Sequence, residues 1–213
     1  MAVVTTAIGA DALSVTISWT APDDNSDPIT SYHILIRKAG GVEYAEEPTN
    51  CAGTDSTIVS EARCLVLIAD LRDHFGLQYG DLVVARVRAS NSLGDGQYSQ
   101  PNTVGATIET EPAQMAPPTE TSTTLTEISV AWVALTGDGT GGSPPDSYQL
   151  DYGVGQSGVS SWTTLQGGNG GFSTLLSHTL GSLTPGTWYS FRVRAHNVHG
   201  WGAYSTPASF QAA

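Results

Sequence analysis

The sequence predicts an all-β protein of two consecutive domains. Three observations carry this expectation: a composition rich in turn formers, short runs in which every second residue is apolar, and a repeat of those runs in the second half of the chain. Among 213 residues there are 24 glycines and 11 prolines, while 39% of side chains are hydrophobic and only 13% are charged. Such a profile supplies many turns and few surfaces for long amphipathic helices. A chain of this length divides naturally into two domains, each large enough for its own core.

The elements follow from the alternation. Leu13, Val15, Ile17 and Trp19 recur at every second position, as do Tyr32, Ile34 and Ile36 after an Asp/Asn/Pro loop, so each set lines one buried sheet face. Ile128, Val130 and Trp132 repeat the first pattern, and Tyr148, Leu150 and Tyr152 the second, again across a Gly/Pro/Asp loop. The repeat is sharpest late in each half. Arg88-Ala89-Ser90-Asn91, followed by Gly94 and Gly96, returns as Arg194-Ala195-His196-Asn197, followed by Gly200 and Gly202. Tyr98, Ser99 and Pro101 return in the same spacing as Tyr204, Ser205 and Pro207. Glu109-Thr110-Glu111-Pro112 and Pro117-Pro118 mark a proline-stiffened connection, which places the domains at residues 1–110 and 111–213.

These residues resemble the fibronectin type III family, through a tryptophan on the second strand, a tyrosine on the third and a penultimate strand ending Ala-x-Asn-x-x-Gly. Leu183, Pro185, Thr187 and Tyr189 match the family's Leu-x-Pro-x-Thr-x-Tyr run, and Phe191, Val193 and Ala195 continue the alternation. The resemblance spans nearly the whole chain. It implies two immunoglobulin-like β-sandwiches of about seven strands each, with Tyr189 as a tyrosine-corner residue whose hydroxyl bonds upstream backbone. In the first domain the corresponding positions are Leu77, Tyr79, Asp81, Val83, Ala85, Val87 and Ala89, so Val83 replaces the corner tyrosine. The cysteine pair and the longer Leu71–Phe75 stretch are the candidate devices that fix that connection instead.

Charge narrows the partners. The formal net charge is −12, both halves are acidic, and no lysine or arginine lies between Arg88 and Arg192; a nucleic acid would be repelled by the average field. No apolar run reaches the roughly 18 residues that span a bilayer, so direct membrane insertion is not expected. The opening Met1–Thr6 lacks the basic and apolar regions of a signal peptide, so secretion information was removed or the chain is a piece of something longer.

Cys51 and Cys64, the only cysteines, flank a turn-rich segment and fit a disulfide of roughly 3 kcal/mol in the chain-entropy model; two buried thiols are the alternative. Gly153-Val154-Gly155-Gln156-Ser157-Gly158 satisfies a dinucleotide-binding spelling, yet a strand is expected at Val159–Thr164 where the phosphate site needs a helix. It reads as a hairpin turn. Asp23, Asp24 and Asp27, with Asp95 in a loop at the same pole, fit either calcium or solvated turns. His196 and His199 lack accompanying ligands and read as loop residues. No nucleophile, zinc or phosphate-loop motif appears, so neither an enzyme nor a cofactor is expected.

The candidate interaction surface is Trp188, Arg192, Arg194, Trp201 and Tyr204. With Phe191 and Val193 inward, both arginines face outward, and aromatics cover their guanidinium groups much as in the arginine–tryptophan arrangement of cytokine receptors. Thr119, Thr121, Ser122, Thr123, Thr124 and Thr126 form a tract that suits O-linked glycans or, equally, an exposed β-branched strand. The expected function is a non-catalytic extracellular or cell-surface structural or adhesive module, a segment of a longer array or filament, acting by self-association or on an extracellular protein. The alternatives are a receptor ectodomain for a protein ligand and a spacer module of a secreted carbohydrate-active enzyme.

Overall fold

Alternation decides which side chains each strand buries, and the core follows from it. The computed structural model describes residues 3–168 and 171–213 and divides into two units, Met1–Glu109 and Thr110–Ala213. In the first unit, β1 (Val4–Ile8), β2 (Ser14–Trp19) and β5 (Arg63–Leu67) form one antiparallel sheet in the order β1-β2-β5. The facing sheet contains β3 (Ser31–Arg37), β4 (Tyr44–Ala45), β6 (Ala85–Asn91) and β7 (Gly94–Asp95) in the order β4-β3-β6-β7. Val15, Ile17, Trp19, Ile34, Ile36, Val66 and Val87 are buried between them, and Trp19 meets Tyr32 edge-on with ring centroids 4.9 Å apart.

Two short helices interrupt the β pattern of this unit. The segment between the cysteines contains α1 (Ser56–Glu61), which Asp55 caps by accepting hydrogen bonds from the amides of Thr57 and Ile58. Cys51 and Cys64 are joined by a disulfide with Cα atoms 5.1 Å apart, tying this helical excursion to β5. The second helix, α2 (Ile68–Asp73), buries Ile68 and Leu71. Phe75 and Leu77 follow it into the core, and the Phe75 carbonyl accepts from the Ala39 amide at 2.9 Å. This helical plug occupies the connection in which Val83, fully buried, stands in place of a corner tyrosine.

The second unit repeats the plan. One sheet runs β12 (Ser177–Leu180), β9 (Ile128–Ala131), β8 (Thr119–Thr123). The other is built on β11 (Thr163–Gln166), β10 (Ser147–Val154), β13 (Trp188–Asn197) and β14 (Gly200–Trp201), with β15 (Ala208–Gln211) also paired to β13. β14 and β15 are two pieces of one interrupted edge strand, so the count returns to seven. Ile128, Val130, Leu150, Phe191 and Val193 fill the core at essentially zero exposure. Tyr189 is buried, and its hydroxyl accepts from the Thr184 amide at 3.0 Å, closing the tyrosine corner.

Two outcomes follow for stability. Replacing both Cys51 and Cys64 by serine lowers the stability of the first domain by roughly 3 kcal/mol, read from its urea midpoint; an unchanged midpoint contradicts the role given to the bridge. Tyr189→Phe leaves the Thr184 amide without its acceptor and destabilises the second domain by about 1 kcal/mol.

Candidate interaction surface

β13 sets the geometry. Phe191 and Val193 point into the core, so Arg192 and Arg194 project from the opposite face of the sheet. The Arg192 guanidinium carbon sits 4.2 Å from the Trp162 ring centroid and 3.8 Å from that of Tyr204. Arg194 sits 4.3 Å from Tyr204 and 4.7 Å from Trp201. The side chains therefore interleave as Trp162, Arg192, Tyr204, Arg194, Trp201.

A polar layer on β10 holds both arginines from below. Asp151 lies opposite Arg192 and Gln149 opposite Arg194 in the strand register. Arg192 donates from Nε and Nη2 to Asp151 Oδ2 at 3.2 and 3.0 Å, and Arg194 donates from Nε and Nη2 to Gln149 Oε1 at 3.0 and 2.7 Å. Gln149 Nε2 and Thr164 Oγ1 each donate to Asp151 Oδ1 at 2.9 Å. Burial acts to raise the Asp151 pKa, but the hydrogen bonds from Tyr204, Gln149, Arg192 and Thr164 outweigh it and hold the carboxyl below its ordinary value. Burial, with Asp151 alongside, pushes the Tyr204 phenol up. Each stacked contact contributes about 0.5–1 kcal/mol, and the guanidinium groups are fixed by the bonds beneath them.

The ladder ends in an aromatic group in which Phe172 is exposed and His196 and Trp201 are half-buried. His196 packs on Trp201 with centroids 4.8 Å apart, and Phe172 packs on His196 at 4.8 Å and on Trp201 at 6.4 Å. His196 Nδ1 lies 2.7 Å from Asp146 Oδ1, which orients the imidazole. Phe172 is 62% exposed, an unusual state for a phenylalanine held among rings.

The first unit carries a related face. Arg86 lies 4.3 Å from the Tyr44 ring centroid and 4.7 Å from that of Tyr98, and Arg88 lies 4.9 Å from Tyr98. Arg88 Nη2 pairs with Asp95 Oδ2 at 2.7 Å. The Arg-Val-Arg and tyrosine positions at 98 and 204 stand in the repeat of the sequence; Trp162 and Phe172, delivered by loops, and Tyr44, on the two-residue strand β4, carry no such signal.

The remaining expected residues fall elsewhere. Trp188 does not join Trp201 and Tyr204: it lies at the far end of β13, half-buried and opposite Gln211, while Trp162 takes the outer place in the stack. Asp23 accepts from the Asn25 amide, Asp24 from the Ser26 amide and Asp27 from the Ser92 amide. Asp23 and Asp24 thus close local turns while Asp27 ties this loop to the one at Ser92, and among the described residues no three His, Cys, Asp or Glu side chains converge as metal ligands. The Gly153–Gly158 spelling leaves β10 and turns back; β11 begins only at Thr163, later than the strand expected from Val159, and no helix follows among the described residues. Thr119, Thr121 and Thr123 lie on β8 and donate their hydroxyls to the carbonyls of Ala131, Ser129 and Gln211; Ser122 is paired opposite Ser129. Thr124 and Thr126 form the turn beyond, with Thr124 Oγ1 accepting from the Thr126 and Glu127 amides.

The chain is thus two consecutive β-sandwiches, each with an arginine–aromatic ladder on the outward face of one sheet. A family model described as the fibronectin type III domain matches residues 4–105 and 116–211, and the chain belongs to that family. The FN1–FN3 domains of chicken CNTN1 align over 98% of this chain and 62% of their own, at 20% identity and a TM-score of 0.39. A structure described as a myokine aligns over 48% of this chain and 98% of its own, also at 20% identity and 0.39. The chain spans less than two thirds of the CNTN1 structure it matches. Fibronectin type III domains are commonly extracellular protein-interaction modules and are typically non-catalytic.

The depressed Asp151 pKa has a testable sign. Its stabilisation is complete above the unfolded carboxylate range near pH 4 and is lost as pH falls through the folded value. Asp151→Asn should cost the second domain about 2 kcal/mol at pH 7 and flatten its loss of stability on acidification, followed by urea denaturation from pH 7 to 3.

Proposed function

We propose that this chain is a non-catalytic extracellular structural or adhesive module, a segment of a longer array or filament, which acts through protein–protein contacts. The observation that carries this reading is the exposed Phe172, packed on the half-buried His196 and Trp201 at the end of the fixed arginine ladder. Large rings that are already ordered lose little entropy when a partner covers them, and aromatic and arginine side chains dominate binding energy at protein interfaces. Trp201, Tyr204, Arg192 and Arg194 then form the rigid support of the contact, with Phe172 at its exposed end. The Cys51–Cys64 disulfide suits an oxidising compartment. The arginine–tryptophan interleaving also favours a second reading, a receptor ectodomain that binds a soluble protein ligand.

Phe172→Ser tests the surface without touching the core. Its expected effect is a roughly 30-fold loss of affinity, equivalent to about 2 kcal/mol, for whatever protein or second copy the wild-type chain retains in cross-linking and sedimentation, with the thermal midpoint unchanged. Retention of the partner at wild-type strength would place the contact elsewhere. Recovery of one stoichiometric soluble protein favours the receptor reading over self-association.

A further inference from the structure

We propose that the outward face of the first domain holds a carboxylate-binding site, in which Arg86, clamped between Tyr44 and Tyr98, receives an aspartate or glutamate side chain of a protein partner. The inference uses the protein-contact reading only to name the source of the carboxylate, and it concerns a different domain from the Phe172 surface. Its basis is a comparison within the molecule. Arg192 and Arg86 occupy the same place on their central strands, each inserted between two aromatic rings. Arg192 faces Asp151 across the strand pair and binds it through two nitrogens. Arg86 faces Leu35, which has nothing to offer a guanidinium.

The clamp is therefore retained without the internal anion. Arg86 Nε, like Arg88 Nε, is buried with no hydrogen-bond partner, but whereas Arg88 has an ion pair through Nη2, no ion pair to Arg86 exists among the described residues. On the same sheet, Asp95 is already held by Arg88 Nη2 and by the Ser90 hydroxyl, and Glu46 is held by His33 Nδ1 at 3.0 Å. Two tyrosine faces fix the plane of the guanidinium and withdraw it from water, which strengthens a charge-assisted, bidentate pair with an incoming carboxylate. Charge distribution agrees. The chain has a net charge of −12 and only eight basic residues, yet Arg37, Arg86 and Arg88 lie on β3 and β6, and Lys38 immediately follows β3. Leu35 and the tyrosine rings flank the site with apolar surface. That surroundings suits a residue carried on a polypeptide better than a free anion, because neighbouring side chains add contact area.

The test is to follow the arginine Nε–Hε signals of the whole chain by NMR at low ionic strength. The additions are a blocked pentapeptide with one glutamate, its glutamine counterpart, and glutarate. The expected result is a saturable shift at Arg86 with the glutamate peptide, at least about tenfold weaker binding of the glutamine peptide and of glutarate, and no matching shift at Arg192. Leu35→Asp supplies the missing internal partner and should abolish the response; Arg86→Gln removes the site and serves where Leu35→Asp disturbs the strand. Equal responses at Arg86 and Arg192, no response at Arg86, or a Leu35→Asp chain that binds like the parent would overturn the proposal. Glutarate binding as tightly as the peptide would also overturn it, in favour of a small-molecule carboxylate. None of these outcomes bears on the Phe172→Ser test, so the two readings fail separately.

Discussion

The two-residue pleat of the central strands governs everything else in this protein. On β13 it sends Phe191 and Val193 into the core and Arg192 and Arg194 out of it; on β6 it does the same with Val87 between Arg86 and Arg88. A slip of one residue would bury two arginines and expose the core, so register is firmly specified. The face that results is cationic and aromatic in a chain that is otherwise strongly acidic. Core and surface are two readings of one strand.

The two domains solve the same problems with different parts. Tyr189 closes its corner with a single hydrogen bond from a buried phenol, whereas the first domain fills the equivalent space with Val83, a short helix and Phe75, and ties the adjoining segment with a disulfide. On the outer faces the difference runs the other way. The second domain satisfies its arginines internally through Asp151 and Gln149, while the first leaves Arg86 stacked but unpaired by any carboxylate. A duplicated scaffold whose two copies distribute charge partners differently has room for two kinds of contact.

Much of this was legible in the sequence. The alternation of Val15, Ile17 and Trp19 and its echo in Ile128, Val130 and Trp132 placed the inner strands, and the Leu-x-Pro-x-Thr-x-Tyr run placed the corner. The spacing of Cys51 and Cys64 fits a bridge but also admits two buried thiols, and alternation around Phe191 puts Arg192 and Arg194 outward. The helices α1 and α2 were not visible, because each is six residues long and is held by a cap, a disulfide or burial rather than by a helical period. Strand parity puts Trp188 on the outward face, but parity gives the side of the sheet and not the distance along it, and a loop delivers Trp162 to the stack instead. Phe172 reaches its face through a loop and Tyr44 through β4, which at two residues is too short to show a period. The Arg86 ladder was written in the repeat itself, beside Tyr98, yet its meaning depends on Leu35 standing where the other domain has Asp151, a contrast that appears only once strand register is known.

A fixed arginine ladder, an exposed Phe172 at its end and a bridged first domain are the features on which the proposed reading of an extracellular contact module rests. The most direct test is the non-reduced intact mass of the protein isolated from its natural source, against the 22.2 kDa of this chain. The account predicts a heavier parent polypeptide in which Cys51 and Cys64 are bridged. An unmodified chain of the calculated mass with two free thiols would contradict it and point to a small binding module of a reducing compartment.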